Sequence, residues 1–104
     1  MRKHQASRFV AEQSWGGPDL ARFDHAVVLL RWISTPYHWH RNAGGEIFVV
    51  LDGVVEMHVR SGGGEVDLVE LQAGDLLCLD KGEEHVAHPQ GEARILVIEE
   101  TQRV

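Results

Sequence analysis

Apolar residues in this chain fall into short runs, each closed by glycine or by a glycine beside an acidic residue. The runs cover residues 26–32, 46–51, 54–60, 65–71, 76–80 and 94–99. Each has the length and β-branched content of a strand. Turn residues separate them: Asp52-Gly53, Ser61-Gly62-Gly63-Gly64, Gln72-Ala73-Gly74-Asp75 and Lys81-Gly82. No helical period runs through the chain, apart from a candidate helical turn over residues 18–23. This pattern predicts an all-β antiparallel sandwich or barrel. Ser14-Trp15-Gly16-Gly17-Pro18-Asp19 reads as a loop, so residues 1–25 form an irregular segment at the barrel edge and residues 26–104 the domain proper.

The pattern also predicts a register. Asp52-Gly53 is a two-residue hairpin signal that pairs Leu51 with Val54, Phe48 with Met57 and Glu46 with Val59. A following loop over residues 61–64 pairs Arg60 with Glu65, His58 with Asp67 and Met57 with Leu68. One face then carries Glu46, Phe48, Val50, Val55, Met57, Val59, Val66 and Leu68, with Glu70 near its far edge. Phe48, Val50 and Met57 are expected in the core beside any site, and as pocket walls second. Glu46 is the odd member of this apolar face, and a carboxylate there is costly unless paired or bound to a cation. His58 falls on the outer face with Ile47, Val49 and Leu51, away from Glu46. That outer apolar patch needs a cover, either a second subunit or the N-terminal segment with Phe9 or Phe23.

Bulk properties narrow the classes. A chain of 104 residues is one domain. Sixteen acidic against ten basic residues, a net charge of −6, argue against a nucleic-acid partner, which needs clustered Lys and Arg. Cys78 is the single cysteine, which excludes an intrachain disulfide and a cysteine-rich zinc site. Its apolar neighbours predict a buried, inert thiol. No stretch is long enough to span a membrane. The basic start has no apolar region behind it, so no signal peptide is read and a reduced cytoplasmic setting is expected.

The candidate chemistry is a dispersed set of metal-capable side chains: His38, His40, Glu46 and His85. Imidazoles and a carboxylate suit a divalent transition metal. On an extended segment His38 and His40 point to one face, and Tyr37 and Trp39 to the other. Taken alone, His85 would be a surface residue of the turn Lys81–His85. His88, its rival, faces the other way on a strand and is expected at the rim or exposed. His4 and His25 read as solvent or loop residues. Arg31 and Arg41 read as solvated arginines, with an anionic ligand as the alternative. No separate acid/base residue stands out.

Two stretches carry a family resemblance. In YHWHRNAGGEIFVVLDG, His38, His40, Glu46 and Gly53 match the first motif of the cupin superfamily, and in GDLLCLDKGEEH, Gly74, Gly82 and His85 match the second. The chain resembles that superfamily roughly from residue 26 to residue 99. There are three departures. Five residues separate His40 from Glu46 where three or four are usual, Asp80 stands at a proline position, and Pro89 at an asparagine position. The extra residue falls beside Gly44-Gly45, where a bulge costs least, so Glu46 is expected to reach its usual place.

The resemblance implies a small jelly-roll-like, double-sheet antiparallel β-barrel. It also implies one divalent transition metal (Fe, Mn, Ni, Zn or Cu) held inside by His38, His40, Glu46 and His85. The implied function is binding or transforming a small organic molecule at that metal, by a dioxygenase or another metal-dependent enzyme (an isomerase or lyase) using it as Lewis acid. Two alternatives stand beside it: a non-catalytic ligand- or carbohydrate-binding or sensing module, and a metal-free sugar isomerase or epimerase. The expected partners are a small-molecule ligand and a second copy of the chain in a homodimer, with no nucleic acid and no membrane.

Overall fold

Alternating buried and exposed side chains mark nine strands in the computed structural model, which describes residues 1–62 and 64–101. They are β1 (Asp19–Arg22), β2 (Ala26–Ile33), β3 (His40–Arg41), β4 (Glu46–Asp52), β5 (Val54–Arg60), β6 (Val66–Gln72), β7 (Leu76–Leu79), β8 (Glu84–Pro89) and β9 (Ala93–Glu100). The fold is all-β, as predicted. One sheet has the order β1-β2-β9-β4-β7 and the other β3-β8-β5-β6, with every pairing antiparallel. The sheets face each other as a sandwich, and among the described residues no ladder closes them into a barrel. Gly63 of the predicted turn and residues 102–104 of the predicted domain lie outside the described residues. No described helix is long and apolar enough to cross a membrane.

The inner faces meet in one core. Ile33, Val50, Val55, Met57 and Ile95 are fully buried there, with Phe48, Leu71 and Leu79 nearly so. Even-numbered residues of β4 and odd-numbered residues of β9 point inward, because the side-chain period of a strand is two. Glu46 and His85 share these inner faces, directly across from the core residues Leu79 and Val59.

Several predicted features are corrected. Asp52-Gly53 does not close a hairpin: β4 pairs with β7 and β9, whereas β5 pairs with β6 and β8. Gly53, at φ 86°, takes the chain round a corner from one sheet to the other. A Cβ there would also sit 2.6 Å from the Glu92 carbonyl oxygen. The same tight turn serves a ladder or a corner; here the apolar faces of β4 and β5 are buried across the sandwich rather than side by side.

The β5–β6 hairpin exists, but one residue out of the predicted register. Arg60 pairs with Val66, His58 with Leu68 and Met57 with Val69. The loop therefore holds residues 61–65, one more than predicted, and every β6 side chain changes face. Leu71 turns inward at 3% exposure, while Val66 and Leu68 are 42% and 60% exposed. His58 accordingly has no Asp67 opposite it. Its Nε2 lies 2.8 Å from Glu56 Oε1, and its ring stacks on His88 at 3.9 Å. Arg60 pairs with Glu84, not Glu65, and its guanidinium lies 4.5 Å over the Trp39 ring.

The candidate helical turn over residues 18–23 is instead the edge strand β1, paired with β2. Cys78 is exposed, because β7 is an edge strand and the outer face of its sheet meets solvent. The N-terminal segment covers only part of that face. The Phe9 carbonyl accepts a 2.8 Å bond from Arg94 Nε, while Phe23 stays 64% exposed. Ile47 and Leu76 remain open at 36% and 56%.

Candidate metal centre

His40 on β3 is the direct cross-strand partner of His85 on β8. That pairing brings the rings to 4.1 Å between centroids at 62°. Glu46, the first residue of β4, faces them from the other sheet. His40, Glu46 and His85 each offer a ligand atom, and these atoms all lie within 4.8 Å of one another. Glu46 and His85 are 5% and 2% exposed. His85 was expected to need its motif partners to be more than a turn residue; it lies within β8, a strand the apolar pattern did not reveal.

Backbone carbonyls orient both rings. His40 Nδ1 donates to the His38 carbonyl at 3.1 Å, and His85 Nδ1 approaches the Glu83 carbonyl at 3.4 Å. This arrangement leaves Nε2 as the free nitrogen, the usual outer support of a metal-binding histidine. His85 Nε2 is buried, has no hydrogen-bond partner and lies 3.4 Å from Glu46 Oε1. An orphaned buried nitrogen in a polar cluster calls for an occupant. Two imidazoles and a carboxylate around it fit a divalent transition metal by chemistry and spacing.

Residues 42–45, between β3 and β4, form a braced loop. The Gly45 amide donates to Glu100 Oε1 at 3.1 Å, and the Glu100 amide returns a 3.0 Å bond to the Gly45 carbonyl. Gly44 packs so closely that a Cβ would collide with the Glu100 side chain. Asn42 Nδ2 donates to Glu46 Oε1. Despite the extra residue, Glu46 faces inward.

Charge in the cluster is tuned. Burial pulls the His40 pKa below its ordinary value, and the neighbouring His85 ring adds to the fall. Burial also acts to lower the His85 pKa, but the Glu46 carboxylate, joined by the Glu83 carbonyl and the Glu99 charge, turns the net shift upward. Glu99 lies directly across from Glu46 on β9, and its pKa is raised, first by burial and then by the Glu46 charge.

A pocket of about 310 Å³ opens onto the cluster, at the small end of ligand sites. His40, Glu46 and His85 form one side, with Arg31 and Glu99 beside them. Trp15, Leu29, Tyr37, Phe48, Ala87 and Val97 supply apolar walls. Trp15 sits at φ 70°, uncommon for a bulky residue, and is held by its indole bond to the Thr35 carbonyl at 2.9 Å. Arg31 is not free in solvent: it pairs with Asp19 at 2.6 Å and donates to the carbonyls of Gly17, Pro18 and Leu30.

The remaining candidates lie elsewhere. His38 is exposed, outside the three-residue cluster, its ring 3.9 Å from that of Tyr37 and 6.1 Å from that of His40. Phe48 lines the pocket, whereas Val50 and Met57 are fully buried in the core. Tyr37, expected to face away, lines the pocket because residues 34–39 are not a strand and the alternation lapses. Trp39 does face away, and Arg41 pairs with Glu84 at the surface. Sequence reasoning missed Glu99, although the inward parity of residues 93, 95 and 97 could have revealed it.

A protein-family model described as "Cupin domain" matches residues 28–99. Among solved structures, a cupin-2 domain containing protein from Shewanella frigidimarina aligns at 26% identity and TM-score 0.74, over 86% of this chain and 84% of that one. A cupin superfamily protein from Desulfitobacterium hafniense aligns at 16% identity and TM-score 0.72, over 82% and 75%. The hydroxypropylphosphonic acid epoxidase of S. wedmorenis aligns at 18% identity and TM-score 0.64, over 72% of this chain but only 43% of the enzyme. A search of curated proteins finds no match.

Proposed function

The chain belongs to the cupin domain family, and on that footing we propose that it holds one divalent transition metal on His40, Glu46 and His85 and binds or transforms a small organic molecule there. The observation that carries this reading is the buried Nε2 of His85, which has no hydrogen-bond partner and lies 3.4 Å from Glu46 Oε1 beside His40. Two histidines and one carboxylate with open positions are the donor pattern of non-haem Fe(II) oxygenases, so iron(II) leads the metals that suit the site. When bound, the metal supplies Lewis-acid polarisation of a ligand oxygen.

The protein groups have separate tasks. Glu46 offsets the cation's charge, and the carbonyls of His38 and Glu83 keep the two rings turned inward. With its ring turned off the face of Tyr37, His38 would be placed to add a third imidazole to the three residues that hold the metal. Trp15, Tyr37 and Phe48 exclude water from one side of the ligand. Glu99 faces the pocket with a raised pKa, suited to exchanging a proton with the ligand.

Elemental analysis of protein purified without an affinity tag tests the reading. Close to one equivalent of a first-row metal per chain is expected, and its absence from every preparation defeats the claim. Oxygen uptake by the iron-loaded protein with enols, diketones and phenols supports an enzyme; tight binding without turnover supports a binding module. The His85–Glu46 pair also favours a second reading, a metal-free sugar isomerase or epimerase using it as acid and base. Turnover that survives complete chelation would select that alternative.

The proposal includes assembly and setting. The exposed Ile47 and Leu76 on the outer face of the β1-β2-β9-β4-β7 sheet support a homodimer through that face. The exposed free thiol of Cys78 supports a reducing compartment such as the cytoplasm.

A further inference from the structure

We propose that Asn42 is the positioning residue that sets the Glu46 carboxylate for metal binding; this rests on the metal reading above. Asn42 Nδ2 donates to Glu46 Oε1, the same oxygen that lies 3.4 Å from His85 Nε2. A carboxylate only accepts hydrogen bonds, so its neighbour must be the amide nitrogen, and the orientation of Asn42 is settled. The bond occupies one lone pair of Oε1. It stops rotation of the carboxylate about its last torsion, which is otherwise broad and weakly restricted. The carboxylate is thereby held with a ligand oxygen within 4.8 Å of a ring nitrogen of each histidine.

The long spacing before Glu46 makes this possible. β3 ends at Arg41, and Asn42 is the first residue of the loop that leads to β4. Glu100 holds the far side of that loop through both backbone bonds of Gly45. Gly44 leaves space for the Glu100 side chain, so the loop closes tightly. Asn42 is thereby turned inward and half-buried rather than left in solvent. The carboxylate thus takes a donor from its own approach loop. Outer partners of this kind typically account for about 10–100-fold of metal affinity.

The test is titration of metal-free protein with Co²⁺, following the visible spectrum of the bound ion. Asn42→Ala and Asn42→Leu both remove the donor, and leucine keeps the volume. Each should weaken Co²⁺ binding by about 10–100-fold and alter the band positions or intensities, while metal-free melting temperatures stay near wild type. Wild-type affinity and spectrum in both variants would overturn the proposal. So would loss in the alanine variant alone, which would mean packing rather than the hydrogen bond. Failure of the wild-type protein itself to bind Co²⁺ would instead overturn the metal reading, and this inference with it.

Discussion

Glu46 and Glu99 stand directly opposite each other on β4 and β9, both facing the same pocket. Two carboxylates in that relation cannot both be charged without cost unless a cation lies nearby. The pKa of Glu99 is raised, first by burial and then by the Glu46 charge. A group with a raised carboxyl pKa binds its proton more tightly when folded. Stability therefore falls as pH rises from the ordinary carboxylate value through the raised one. Glu99→Gln should raise the melting temperature of metal-free protein at neutral pH and leave it unchanged at a pH below the ordinary value. Thermal denaturation at both pH values checks this.

His85 gives a second test, with the same sign in a higher pH window. Its raised pKa means that the pairing with Glu46 contributes fully below the unfolded value of 6.5 and is lost as pH rises through the folded value. Metal binding needs the neutral ring, so affinity should increase with pH through the same window. Above pH 6.5 the stabilisation given by added Co²⁺ should therefore grow, while the metal-free protein loses the His85 contribution; the lowered His40 pKa acts only below that value. Melting curves with and without Co²⁺ across that range measure both trends.

The ligands should separate by substitution. His40→Ala and His85→Ala should cost more than the roughly 100-fold upper range for loss of an outer partner. His38→Ala should cost less, because His38 lies outside the three-residue cluster. His58→Ala should retain wild-type affinity, since its ring stacks on His88 away from the site. Equal losses at His40 and His58, by metal titration, would refute the assignment.

Register on β6 is open to a stability test. Leu71 is 3% exposed and Leu68 60%. Leu71→Ala should destabilise by about 2–5 kcal/mol. Leu68→Ala should stay within about 0.5 kcal/mol. Urea denaturation of the two variants distinguishes this register from the one predicted by a four-residue turn, which would reverse the order.

Assembly can be read by sedimentation. Ile47→Lys and Leu76→Lys place charge on the open part of the outer face. Each should shift a dimer toward monomer without lowering metal content. A wild-type chain that sediments as a monomer at all concentrations would remove the homodimer from the proposal.

Residue identity and spacing alone determined much of this protein. The two-residue period placed Glu46, Phe48 and Val50 on one face, and glycine punctuation marked most strand ends. The motif spacing singled out His38, His40, Glu46 and His85, of which the fold brings the last three together. Those features are local, and local chemistry expresses them. Only the tertiary structure decided which strands lie side by side, because a turn such as Asp52-Gly53 looks the same closing a ladder or crossing between sheets. One added loop residue reversed every side chain of β6, a change that composition does not register. The pocket depended most on tertiary packing. Glu99, Asn42, Tyr37 and Arg31 come from four separate segments, and only packing the two sheets together brings their side chains around the site.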